Sequence, residues 1–263
     1  MEADDTSLLA SVDGDGIATV AFNRPQKRNA VNLAMWTRLK EIFTEYAFRA
    51  DVRAVVLTGT GGHFSAGADI SEFATVRADA ASGEAYEREG ELALRAVLDC
   101  PKPTIAQISG VAVGGGCGLA LACDLRVADR TARLGIPAGK LGIVYSTLDC
   151  AMLLRAVGLA NAKRVLYTAE IFDAGAAHAL GLVDILSEGD VATTARELAM
   201  RCAATAPLSA AGHKLILNAI AGGEADARAS EIAAVLHRAF DSEDYREGRR
   251  AFMEKRPPVF KGR

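Results

Sequence analysis

The order of apolar runs and helix-period stretches predicts an α/β chain of stacked β-α repeats, and three observations carry that expectation. Strand-like runs alternate with helical patterns through the first half of the chain. The turn Asp13-Gly14-Asp15-Gly16 joins two alternating apolar runs, a strong hairpin signal. A triple glycine, Gly114-Gly115-Gly116, ends the short apolar run Val111-Ala112-Val113 and opens a stretch of small and aliphatic residues that suits a buried helix.

Taken in order, Leu8 to Val12 and Ile17 to Phe22 are strands, followed by the polar loop Asn23-Arg24-Pro25-Gln26-Lys27-Arg28-Asn29. Leu33, Trp36, Leu39, Ile42, Phe43 and Tyr46 share one helical face between Leu33 and about Arg49, with Asn32 as the N-cap. Ala54 to Gly59 is a buried strand that runs into the small-residue loop from Gly59 to Ile70. Between about Phe73 and Gly90 the chain is rich in alanine and charge with little periodicity, which predicts a mobile helical segment. A helix from Leu92 to Cys100 is stopped by Pro101-Lys102-Pro103. Strands are expected at Thr104 to Ile108, Leu125 to Ala128 and Ala132 to Gly135.

Beyond Pro137 the pattern is mostly helical: Thr147 to Val157, Asn161 to Thr168, Ala174 to Leu180, Val191 to Ala204, Ser209 to Ala221 and Glu224 to Phe240. One strand, Leu182 to Leu186, interrupts them. Residues 1–200 form the expected core, and 201–263 a C-terminal helical appendage closed by the basic tail Lys255 to Arg263. That tail is either disordered or supplies cations for a phosphate-bearing ligand.

Composition bounds the function. A chain of 263 residues, half of them hydrophobic, can bury a large core, and its net charge of −3 argues against nucleic acid as the main partner. No apolar run approaches the roughly 20 residues of a membrane span. The acidic start Met1-Glu2-Ala3-Asp4-Asp5 is unlike a signal peptide, so a cytoplasmic protein is expected. Five cysteines and four histidines form no C-x-x-C or H-x-x-x-H pair, so the cysteines are expected to be reduced core residues, with neither metal nor disulfide.

Glycine suits places where the backbone must come close to something else, and a helix N-terminus there favours developing negative charge. If the loop ending at Ile70 and the triple-glycine turn converge, the Ala68 and Gly115 amides can donate to one oxygen, an oxyanion hole. The glycine run lacks G-x-G-x-x-G spacing, no Gly-Lys-Ser/Thr follows it, and no G-x-S-x-G elbow exists.

Asn23-Arg24-Pro25, Phe64-Ser65-Ala66-Gly67-Ala68-Asp69, Gly114-Gly115-Gly116-Cys117 with Ala122-Cys123-Asp124, and Gly181-Leu182-Val183 together resemble the enoyl-CoA hydratase/isomerase family, the crotonase superfamily. The resemblance implies a crotonase-like spiral of β-β-α units with a C-terminal helical trimerisation region, assembled as a homotrimer or a hexamer of two trimers. It implies a coenzyme A thioester as substrate and no bound cofactor. Ala68 and Gly115 would hold the thioester oxygen, the loop Ala66 to Ile70, including Asp69, would lie against the adenine, and Arg28 would approach the nucleotide. Phe260 and Lys261 would reach a neighbouring subunit's ligand.

The departures bear on the reaction. The positions where the family's hydratases carry glutamates hold Gly118 and Ala138, and the aspartate of some isomerases falls on Ser146. Ordinary hydration with two glutamates is therefore disfavoured. Tyr145 and Asp149 are the replacement candidates, with capping or packing as their alternative roles; Ser146 is an expected N-cap. His63 is a weaker candidate base, and Glu84, Glu87, Glu89 and Glu91 read as a solvated face unless one swings inward. Three functions stay open: a lyase or isomerase working through a thioester enolate, a decarboxylase of a malonyl-type thioester with Tyr145 orienting the carboxylate, and a thioester-binding protein without turnover.

Overall fold

The structure, a computed structural model, describes residues 6–263; the acidic start read against a signal peptide lies outside them. Strands β1 (Leu8–Val12) and β2 (Ile17–Phe22) form the expected antiparallel hairpin, with Leu8 opposite Phe22. Helix α1 (Leu33–Phe48) starts where Asn32 accepts a bond from the Met35 N–H, and β3 (Ala54–Gly59) follows. Next come α2 (Phe73–Val76), α3 (Ala80–Leu98), β4 (Thr104–Ile108) and β5 (Val111–Val113). Helix α4 (Gly115–Ala122), β6 (Leu125–Ala128), β7 (Arg133–Gly135), α5 (Thr147–Thr168) and β8 (Phe172–Asp173) continue the chain. It ends with α6 (Ala174–Leu180), β9 (Ile185–Leu186), α7 (Val191–Ala203), α8 (Pro207–Gly222), α9 (Ala229–Asp241) and α10 (Glu243–Glu254).

The strands divide between two sheets. Six run in the order β1-β2-β3-β4-β6-β9, parallel from β2 onward, and three form β5-β7-β8. Consecutive strands β4 and β5 go to different sheets, as do β6 and β7, so the chain winds as a spiral. Strand β3 is buried on both faces, and its period of two splits its side chains. Val55 and Leu57 join the core with α1 residues Met35, Leu39 and Phe43; Ala54 and Val56 meet Val191, Ala195 and Ala199 of α7. Burial of each large aliphatic or aromatic side chain contributes about 2 kcal/mol.

Several expectations are corrected. The segment from Ala80 to Leu98 is one continuous helix; Asp79 and Ser82 cap it reciprocally, while only Tyr86, Ala93, Leu94 and Val97 are buried, so its first turns lack an apolar stripe. The two helices expected after Ser146 are joined as α5 across Gly158, at φ 72°. Helix α9 begins at Ala229 instead of Glu224, and the strand at Leu182 shortens to Ile185–Leu186. Helix α10 escapes a reading by hydrophobic spacing because only Asp244 and Ala251 of its residues are buried.

The basic tail is folded back. Asp244 accepts bonds from the Lys261 and Gly262 N–H groups at 2.6 and 2.8 Å, and Arg53 donates to the Phe260 carbonyl. Cys100, Cys117 and Cys123 are buried, but Cys150 and Cys202 are half-buried, so the cysteines are not all core residues. Among the described residues no helix is long and apolar enough to cross a membrane.

Helix α4 is pressed against the loop before it. A Cβ at Gly116 would lie 2.3 Å from the Ser65 carbonyl oxygen. Alanine normally stabilises a helix interior by up to about 1 kcal/mol over glycine. Here the clash with backbone wins, and Gly116→Ala is expected to lower unfolding free energy by about 2 kcal/mol in urea titrations.

Candidate active site

Asn29 organises the site from below. It is buried with φ at 57°, a left-handed conformation that asparagine tolerates better than most residues. Its amide donates to the carbonyls of Thr60 and His63 at 2.9 and 2.7 Å, and its side-chain oxygen accepts from the Arg24 N–H. Ser65 Oγ donates to the Asn29 carbonyl and accepts from the Gly67 N–H. Sequence reasoning passed over Asn29; its signal was an asparagine ending a polar loop.

These bonds fix the chain entering Ala68. The Val31 N–H donates to the Gly67 carbonyl and the Asp69 N–H to the Val31 carbonyl, both at 2.8 Å. Ala68 lies between them, and strand alternation turns its N–H the other way. On that side stands the start of α4. Gly114 adopts φ 59° and ψ −125°, open to glycine alone, and Gly115 is the first helical residue, whose N–H has no partner within the helix. The Ala68 nitrogen is 3.6 Å from where a Gly115 Cβ would be, and Trp36 is 3.4 Å from the same point. The two N–H groups therefore adjoin, and a Cβ at position 115 would be in van der Waals contact with both the indole and the Ala68 amide.

Both residues line a cavity of about 150 Å³ with Trp36, Phe73, Leu94 and Ile143 among its apolar walls. Tyr145, Ser146, Asp149, Glu87, Glu91 and Arg77 bring polar groups to it. Ser146 caps α5 as expected and donates its hydroxyl to Asp149 Oδ2 at 2.6 Å. Asp149 Oδ1 lies 3.3 Å from where a Cβ on Gly118 would stand. The carboxylate thus fills the space that a side chain at 118 would need.

Environment separates the titratable groups. Burial raises the Asp149 carboxyl above its ordinary 3.8, Ser146 opposes this, and the Glu91 charge adds to it. Burial, then the negative charge of Asp149, pushes the Tyr145 phenol up, so it stays a neutral donor. Glu87 stands at the rim, ion-paired with Arg77, and the protein around it raises its carboxyl. Glu87 and Glu91 face the cavity, not solvent alone, because α3 runs along one wall.

Ala66 and Ile70 line the cavity and Ala138 is buried in its wall, whereas Arg28 is exposed at φ 49°, its carbonyl accepting from the Ala66 N–H at 2.9 Å. Phe260 and Lys261 lie away from Ala68, against α10. His63 is engaged elsewhere, its Nδ1 accepting from the Val111 N–H at 3.3 Å. Asp69 is committed to the scaffold. Burial works against its charge, but bonds from Ser71, Lys27 and Arg24 outweigh that and hold its carboxyl well below the usual range.

The sequence model of the enoyl-CoA hydratase/isomerase family matches residues 13–263. The chain belongs to this family. A short-chain-enoyl-CoA hydratase of Clostridium acetobutylicum is 33% identical, the match covering 91% of this chain and 92% of that one. Among solved structures, a protein assigned to the same family from Hyphomonas neptunium is 38% identical with a TM-score of 0.92, covering 98% of each chain. An enoyl-CoA hydratase from Bacillus anthracis is 28% identical with a TM-score of 0.91, covering 98% of this chain and 100% of the other. The spiral of two sheets is the crotonase fold of this enzyme family.

The clamp at Asp69 makes a test of the scaffold. Asp69→Asn leaves buried donors less well matched and is expected to cost about 2 kcal/mol at neutral pH. Because the folded carboxyl titrates below its ordinary 3.8, this stabilisation is present above that value and lost as pH falls beneath it. Urea unfolding of both forms at pH 7 and near pH 3 should show the difference shrinking on acidification.

Proposed function

We propose that this family member is an acyl-CoA enzyme that shifts a double bond through a thioester enolate, with Asp149 as its single proton-carrying group. The observation that carries the proposal is Asp149 Oδ1 standing over Gly118, on the cavity that Ala68 and Gly115 also line. In a 3-enoyl thioester, Asp149 takes a proton from the carbon next to the carbonyl. The electron pair moves onto the thioester oxygen, held by the Ala68 and Gly115 N–H groups. The protonated Asp149 then returns the proton to the fourth carbon, leaving a 2-enoyl thioester.

Magnitudes favour this over hydration. One oxyanion donor is worth about 3 to 4 kcal/mol. A positioned acid or base adds about 10²- to 10⁴-fold. Gly118 and Ala138, at the positions matching the hydratase glutamates, offer no carboxyl to activate water. Asp149 is raised toward neutral pH by burial, which suits a group that must both take and return a proton.

A second reading, decarboxylation of a malonyl-type thioester, is favoured by Tyr145, whose hydroxyl lies 3.5 Å from where a Gly114 Cβ would be. Loss of carbon dioxide generates the same enolate without a base, and a neutral phenol can orient the departing carboxylate. For assembly we propose a trimer or a pair of trimers through residues 201–263. Leu217, Ile220, Phe240, Phe252 and Met253 of α8 to α10 are exposed on a single chain and support it.

Asp149→Asn is expected to lower kcat for isomerisation of 3-hexenoyl-CoA by about 10²- to 10⁴-fold. Gly115→Pro should abolish turnover. In the unsubstituted enzyme kcat/KM should fall as pH drops through the carboxyl's raised pKa, above 3.8, because the base must be ionised; an activity surviving in Asp149→Asn would remove Asp149 from the mechanism. Carbon dioxide release from methylmalonyl-CoA that depends on Tyr145 and not on Asp149 would establish the second reading instead.

A further inference from the structure

Arg77 is the one cation among the described residues lining the cavity. Its guanidinium lies over two rings at once, 4.2 Å from the Phe73 centroid and 4.6 Å from that of Tyr86. The side chain is 18% exposed, and Nε is buried with no hydrogen-bond partner among the described residues. The ion pair to Glu87 does not account for this placement. Glu87 is 54% exposed, and a pair at such a rim contributes about 1 kcal/mol or less. Burying a guanidinium with an unsatisfied N–H works against that gain.

The other charges around the cavity already have partners. Glu91 is paired with Arg95 at 2.8 Å, and Asp149 with the Ser146 hydroxyl. Arg77 is the one cation here among the described residues, and its partner Glu87 is more than half exposed. A planar guanidinium held over two rings that meet edge to face is preorganised for a carboxylate, which its terminal nitrogens can grip through two parallel N–H bonds.

From this we infer that the acyl group handled in the cavity ends in a carboxylate bound by Arg77, so that the substrates are monothioesters of dicarboxylic acids. The inference rests on the acyl-CoA assignment of this cavity, but not on the double-bond shift. Arg77 would position the acyl tail; it takes no part in proton transfer.

Binding separates the two. Calorimetry on the full-length protein should find adipoyl-CoA bound at least tenfold more tightly than hexanoyl-CoA, two thioesters of equal chain length that undergo no double-bond shift. Arg77→Met should collapse that ratio toward one, and Arg77→Lys should keep part of it. With hex-3-enedioyl-CoA and 3-hexenoyl-CoA as substrates, the same order should appear in kcat/KM. Tighter adipoyl-CoA binding with no turnover of either enoyl thioester would uphold the carboxylate site while removing the isomerase proposal. Equal binding of the two saturated thioesters, a preference for hexanoyl-CoA, or an adipoyl preference untouched in Arg77→Met would overturn the inference, whatever the catalytic outcome.

Discussion

The constraint on which the site depends is the near-contact of two backbones, the loop through Ser65 to Ala68 and the first turn of α4. The Ser65 N–H donates to the Val111 carbonyl at 2.9 Å and the Ser65 carbonyl accepts from the Val113 N–H at 3.0 Å, while a Cβ on Gly67 or Gly116 would sit 2.6 and 2.3 Å from a facing carbonyl. Only glycine permits such an approach on both sides. Because α4 is held so close, its unpaired first N–H is delivered beside the Ala68 amide by main-chain geometry, independent of any side-chain rotamer. Donors fixed this way need no reorganisation when charge develops, which is where preorganised sites gain most of their effect.

Legibility in the sequence followed burial. The hairpin, α1 with its Asn32 cap, and β3 could be read because each places apolar residues at a fixed period against the core. The two glycine loops were legible as places of close backbone approach, but that they meet each other was only a condition until the fold brought Ser65 against Gly116. Helix α10 and the first turns of α3 were not, because their stability comes from capping and charge pairing: Asp79 with Ser82, Ser242 with the Tyr245 N–H, Glu247 with Arg256. The tail misled for a similar reason. Its polar, cation-rich composition suggested disorder, yet its backbone N–H groups are bound by the buried Asp244, and no local pattern reveals a partner that distant.

Of the polar side chains lining the cavity, Arg77 was the least legible. Arg77 lies in a stretch without apolar periodicity, and its stacking on Phe73 and Tyr86 requires α2 and α3 to fold against each other. Tyr86 in turn accepts a bond from the Trp36 indole at 3.0 Å, tying that wall to α1 and to the ring that borders Gly115. The wall proposed to hold the acyl tail is thus continuous with the one bordering the amide pair, so a change at Trp36 acts on both.

Asp149 and Asp69 show how one chain sets two aspartates to opposite tasks. Asp69 is surrounded by donors, including two cations, and is held ionised as a clamp. Asp149 has one serine as its partner, a buried setting and a nearby negative charge, so its proton is more readily kept and returned. The glycine at 118 makes the second arrangement possible, because any larger residue there would contest the space 3.3 Å from Oδ1. A carboxylate reaching in from α5 thereby stands where the sequence of α4 offers none, and the missing glutamate at 118 becomes the steric condition for the base proposed in its place.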